Sequence, residues 1–169
     1  MDETTFTVTL SAILIAAIVI GIIVGFRNRT KRQQHIAVPP DVPETLLRQQ
    51  PLGTAQGTYV TTVLGQELLE RVTAHHLGNR SQAQVEVHKA GVAVMRAGEP
   101  NFLIPAECIT AVSTISGMAG KFVEKDGILA ITWTLGESDV TTGFRTETIA
   151  EHHQLRTQLD ILTNGRQTA

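Results

Sequence analysis

The chain is short of the residues on which most protein chemistry depends. One cysteine, Cys108, stands in 169 residues. It excludes an internal disulfide and a cysteine metal cluster, as expected for a reducing cytoplasm. Set among apolar neighbours, it reads as a small core residue. An excess of basic charge is missing too. The net charge is −2, and from residue 56 onward nine Lys and Arg face twelve Asp and Glu, a balance of −3. Nucleic-acid binders carry a basic patch or stripe, so that class is set aside.

Catalytic patterns are equally scarce. No nucleophile elbow occurs, and no paired carboxylates are evident. Gly117-Met118-Ala119-Gly120-Lys121 looks superficially like a phosphate loop. It lacks the GxxxxGK[ST] spacing, has Phe122 where Ser or Thr is needed, and opens no helix. His75-His76 and His152-His153 invite a metal reading. Adjacent histidines point in different directions in any regular structure, and no Asp, Glu or Cys set falls at ligand spacing around them. They are expected as solvated or capping residues. No enzyme, cofactor or metal is expected.

Charge is also absent from residues 6–26, FTVTLSAILIAAIVIGIIVGF. As a helix this run is about 30 Å long, the thickness of a hydrocarbon core, and a helix apolar on every face has little use in water. It is expected to span a membrane once. Asp2 and Glu3 precede it, and Arg27, Arg29, Lys31 and Arg32 follow. Positive charge is held on the cytoplasmic side, giving N-terminus out and C-terminus in at the plasma membrane. The same cluster suits anionic inner-leaflet lipid. A cleaved signal peptide would need a basic start and a shorter apolar core. Ala17, Gly21 and Gly25 recur every four residues along one helix face, a spacing that permits close helix pairing and self-association.

Residues 1–5 are then a short extracytoplasmic end, 6–26 the span and 27–55 a basic, then Pro-containing tether with Pro39, Pro40, Pro43 and Pro51. One short helix fits within 41–50. Residues 56–163 form the folded domain and 164–169 a disordered tail. In the domain, 58–63 is β-branched and aromatic, a first strand, and 66–72 suits a short helix or wide loop. Residues 85–88 alternate apolar and polar and return after Gly91 through 92–96 as a hairpin. Strands are expected at 102–104, 108–115, 128–135 and 140–144, with a long glycine-bearing excursion at 116–127. The end is helical: Thr146 or Thr148 caps it, and Ile149, Leu155, Leu159 and Leu162 form its apolar stripe. Six or seven antiparallel strands closed by one C-terminal helix follow, as a bent sheet or partly open barrel. Trp133 belongs to the core.

That order resembles the pleckstrin-homology-like (PH-like) superfold. FLIPAECITAV is similar to a strand, Ile-Pro, turn, Ile step of many bacterial members. ISGMAGKFVEKDGILAITWTLGESDVTTGFR resembles the signature of a family of single-span bacterial membrane proteins with a cytoplasmic PH-like domain, some encoded beside pyrimidine-biosynthesis genes. The resemblance implies no activity, and the superfold hosts lipid, peptide and protein binders.

The candidate interaction loop is 116–127, where Met118 and Phe122 offer apolar contact and Lys121 and Lys125 charge. The alternative is that Met118 and Phe122 fold back over the sheet. Arg145 is expected to pair with Glu147 or to serve an acidic partner. The chain is expected to be a membrane-anchored scaffold that binds a protein partner through this loop or an exposed sheet edge. Lipid-headgroup recognition through Lys121, Lys125 and Lys89, or a role as accessory subunit of a membrane transporter complex, are the alternatives.

Overall fold

The computed structural model describes residues 3–33, 36–65 and 68–164. The chain divides into two units, Met1–His35 and Ile36–Ala169.

The first unit is one helix, α1 (Glu3–Arg32). It covers the whole charge-free run. Its described side chains, Val8, residues 10–22 and Gly25, are all exposed. A Cβ added at Gly21 or Gly25 would meet no atom within 4 Å, so the face holding Ala17, Gly21 and Gly25 is open. Over the described residues, no helix is long and apolar enough to cross a membrane; the longest unbroken stretch of described α1 side chains is 10–22. The side chains of Arg27, Arg29, Lys31 and Arg32 lie outside the described residues, as do Met1, Asp2 and residues 165–169.

In the second unit, α2 (Glu44–Leu47) precedes β1 (Gly53–Leu64), β2 (Ser81–His88), β3 (Gly91–Arg96), β4 (Phe102–Pro105) and β5 (Ile109–Ile115). A small ribbon, β6 (Gly117–Met118) and β7 (Lys121–Phe122), leads to β8 (Ile128–Leu135), β9 (Ser138–Thr146) and α3 (Ile149–Asn164). The seven main strands form one sheet in the order β4-β3-β2-β1-β9-β8-β5, and every pairing is antiparallel. The expected six or seven antiparallel strands and terminal helix are therefore present.

β1 serves both halves of the sheet. Residues 53–59 pair with β2 and 57–64 with β9, with a register shift between Tyr59 and Thr61. Such a bulge bends a strand and increases its twist. The bend wraps the sheet around its main core, to which Val85, Val94, Ile104, Ile131, Trp133 and Phe144 contribute. Leu155 and Leu159 of α3 close it.

Several local expectations change. The first strand begins earlier than residue 58, at Gly53. Residues 68–69 form a turn and Arg71 bridges to Val63, so of the short helix or wide loop expected over 66–72 the described part is a loop; Gln66 and Glu67 lie outside the described residues. Residues 36–52, expected as tether, pack on the domain. Ile36 and Leu46 are buried, and Leu103 N–H donates to the Pro40 carbonyl at 2.8 Å. Proline leaves its carbonyl free to accept, so a proline-rich strap can still pair with a sheet edge. Ile149 is 78% exposed and falls outside the buried face of α3.

Candidate interaction site

A sheet with two ends has two edges, and this one treats them differently. β4 has four residues, ends at Pro105 and is covered by Pro40. β5 has seven residues, ITAVSTI, with neither charge nor proline. One side pairs with β8; among the described residues no backbone hydrogen bond closes the other. Thr110, Ala111 and Ser113 are exposed. Natural edges are usually blunted by lysine, proline or a cover, and β5 has only a register shift between Ile109 and Ala111.

The chain leaves β5 into the excursion that was expected to carry the interaction. Gly117 pairs with Phe122 and Met118 with Lys121. Met118 turns inward, 1% exposed, and packs with Val60, Val63 and Ile128, so it is no part of a sticky tip. Phe122 turns the other way and is 86% exposed. A Cβ on Gly117 would lie 2.8 Å from its ring; only glycine leaves that room. Lys121 and Lys125 are exposed beside it. The fold-back alternative thus holds for Met118 and fails for Phe122, because alternate residues of a strand face opposite sides.

Beyond the ribbon, the loop 123–127 and the first turn of α3 enclose a cavity of about 350 Å³. Thr114 at the end of β5 lines it, with Glu124, Arg145, Ile149, His152 and Arg156. The α3 turn is fixed by a capping box: Glu151 N–H donates to Thr148 Oγ1 at 3.2 Å, and Thr148 N–H to Glu151 Oε2 at 3.1 Å. Thr148, not Thr146, is the cap. The loop is held as firmly. Asp126 has φ +59, a rare conformation for a residue with a side chain. Its N–H donates to Ser116 Oγ at 3.0 Å, and Thr114 Oγ1 donates to its carboxylate at 3.3 Å. Arg156 Nη1 reaches Thr114 Oγ1 at 3.2 Å, tying helix to strand.

Arg145 pairs with Glu124 across the cavity mouth, not with Glu147. Its Nη2 lies 2.9 Å from both carboxylate oxygens and its Nε donates to one of them at 3.3 Å. Glu124's own backbone N–H, and after it Arg145, hold this carboxyl below the usual range. Burial pushes the His152 imidazole down, with help from His153 and Arg156. Nothing local in the sequence pointed to Glu124, which sits 21 residues from Arg145.

The other histidine pair lies elsewhere. His75 and His76 both have positive φ, 52 and 60. The Ile36 carbonyl can only accept, so His75 Nε2, 2.9 Å away, carries a proton and pins the start of the domain. His76 Nδ1 lies 3.0 Å from Glu99. They border a cavity of about 200 Å³ with Arg96. Arg96 donates to the Pro100 and His76 carbonyls and lies over the Tyr59 and Phe102 rings. Burial pushes its guanidinium down from the usual arginine range. Among the described residues, no group of three or more His, Cys, Asp or Glu is placed to hold a metal ion. Lys89 lies in the β2–β3 turn, in a different part of the sheet from Lys121 and Lys125.

A bent seven-stranded antiparallel sheet closed by a C-terminal helix is the PH-like architecture. The sequence profile of the bacterial PH domain-like family matches residues 36–160, and the chain belongs to that family. The match begins at Ile36, so α1 lies outside it. A search of curated proteins finds no match. Among solved structures, the chain is similar to a PH domain from TgAPH, at 15% identity over 66% of this chain and 87% of that one, TM-score 0.39. It is also similar to a structure of Vav1 inhibited by an allosteric inhibitor, at 11% identity over 83% of this chain and 34% of that one, TM-score 0.43.

Proposed function

We propose that the protein is a membrane-anchored module that binds an extended segment of a partner polypeptide along the open edge of β5. The edge carries the reading. It is a long, uncharged, proline-free strand left unpaired while the opposite edge is strapped, and an unpaired edge offers backbone donors and acceptors to an added strand. Phe122, displayed on the adjoining ribbon, supplies an aromatic anchor of the kind that dominates interfaces.

Anchoring rests on the uncharged run 6–26, on its acidic and basic flanks, and on the open apolar surface of α1. In this reading the domain works at the cytoplasmic face of the plasma membrane, where tethering raises its local concentration. The small-residue face of α1 offers self-association. The gene neighbourhood of the resembled family adds nothing to it.

The test is selection of a random peptide library on the full-length chain in mild detergent, followed by amide NMR. Bound peptides are expected to move and protect the amides of 109–115 more than those of β2 and β3. Peptides that leave β5 unmoved, or a library without enrichment, overturn the reading. A second reading, lipid-headgroup recognition, is favoured by the exposure of Phe122 between Lys121 and Lys125. It predicts salt-sensitive flotation with anionic vesicles that weakens on Lys121→Gln and Lys125→Gln.

A further inference from the structure

We infer that the cavity between the 123–127 loop and α3 is a receptor for an acidic side chain of the bound segment, and that Glu124 occupies it as an internal stand-in. The inference rests on the peptide reading above, since Thr114 belongs both to β5 and to the cavity wall.

Three observations converge on Glu124. Its carboxylate makes a two-oxygen contact with Arg145 at 2.9 Å, the geometry in which arginine takes a carboxylate ligand. Its loop is shaped for the purpose: a Cβ on Gly127 would lie 2.8–2.9 Å from Glu124 Cδ, Cγ and Oε1, so the side chain folds back only because residue 127 is glycine. The strained Asp126, pinned from Ser116 and Thr114, fixes the loop in place, and strain of this kind gathers at binding and switch sites.

The charges favour an acidic occupant once Glu124 swings out. Lys125, Arg145 and Arg156 then face Asp126 and Glu147 around the cavity, although Arg156 is already shared with Asp160 at 3.6 Å. Asp126 is already engaged by Thr114. Glu124 is exposed on its outer side, 60% by side chain, so it can leave without disturbing the core. Ile149, exposed at the cavity rim, offers apolar contact to the stem of an incoming side chain.

The probe is a single capped residue, N-acetylglutamate N-methylamide, titrated into the full-length chain in mild detergent, with N-acetylglutamine N-methylamide as neutral control. The readout is the NMR shift of Thr114, Gly127 and the Arg145 side chain. Glu124→Gln removes the stand-in charge, and Gly127→Ala displaces the side chain without touching any charge. Both are expected to tighten capped glutamate binding about fivefold, the population an exposed ion pair holds closed. Arg145→Gln is expected to abolish it. Equal binding of the neutral control, no response in either opened variant, or unchanged binding in Arg145→Gln overturns the inference. So does saturation of the site by phosphatidylglycerol vesicles while capped glutamate leaves it untouched. Because the probe has no strand to add, it fails or succeeds separately from the β5 reading.

Discussion

Phe102 and Trp133 stack with ring centroids 6.2 Å apart and planes 12° from parallel, although four strands separate β4 from β8 in the sheet. Contact between strands so far apart in order is possible only if the sheet curls back on itself, so this pair measures how far it has closed. Phe102 also meets Tyr59 edge-on at 6.0 Å, and Phe102 and Trp133 are 2% and 1% exposed. Phe102→Ala is expected to cost about 3–5 kcal/mol, from lost transfer and the cavity left behind. Urea unfolding followed by the fluorescence of Trp133, the single tryptophan, reads it directly. A shift under about 1 kcal/mol would mean that the curl is held elsewhere.

Below this stack, hydroxyls run through the core in a line. Tyr59 Oη donates to the Leu77 carbonyl at 2.7 Å and lies 2.6 Å from Thr62 Oγ1. Thr62 meets Thr142 at 2.8 Å, and Trp133 Nε1–H donates to Thr142 at 3.0 Å. Burial pushes the Tyr59 phenol up to about 12. Unfolded, it ionises near its ordinary value of 10.0, so stability is complete below that pH and is lost between there and about 12. Tyr59 is the only tyrosine, so tyrosinate absorbance near 295 nm reports it alone. It is expected to rise near pH 12 or together with unfolding. Tyr59→Phe is expected to cost about 1–2 kcal/mol and to abolish this absorbance.

Gly57 tests the crossing of β1 and β9. It pairs with both β2 and β9, and a Cβ there would strike the Arg145 carbonyl, with the Thr146 Cα 2.9 Å away. The obstacle is backbone, which cannot rotate aside as Glu124 can beside Gly127. Gly57→Ala is therefore expected to cost about 3 kcal/mol, the upper end for overpacking, and Gly98→Ala, which meets open space but sits at φ +75, only the backbone strain of about 1–2 kcal/mol. Thermal unfolding of the two variants makes the comparison.

The legible parts of this fold were those written in short-range pattern. Alternation in 85–88 with its return after Gly91, the apolar run 128–135 and the threonines and glutamates opening the last helix each declare an element within one or two turns of chain. β1 was seen only from Thr58, because Gly53, Ala55 and Gly57 lack strand propensity and are held by their partners across the sheet. The proline-rich segment looked like tether because its value lies in one carbonyl, that of Pro40, accepted into a distant edge. Met118 and Phe122 could not be told apart before the ribbon's register was known. Arg145, expected to pair with Glu147 or an acidic partner, meets Glu124 instead for a similar reason: sequence proximity favours the neighbour, while the loop's return brings the more distant carboxylate closer.

Acid is expected to loosen the cavity before it reaches the core. The imidazole of His152 is pushed below its ordinary 6.5, chiefly by burial. On lowering the pH the unfolded chain therefore takes up that proton first. The stability His152 contributes is complete above about 6.5 and declines as pH falls from there toward the folded value. Glu124 acts lower on the scale: its carboxyl is held below the ordinary 4.5, so its contribution is complete above that value and is lost as pH falls through the folded one. Two declines in the same direction, in separate windows, should follow. His152→Gln removes the upper one and leaves the lower; Glu124→Gln does the reverse. Urea midpoints measured by Trp133 fluorescence from pH 8 down to about pH 2 separate them, with the wild type steeper than His152→Gln just below the ordinary histidine value of 6.5. Parallel slopes for those two chains would show that His152 meets the same environment folded and unfolded, and that the turn of α3 lies open to water.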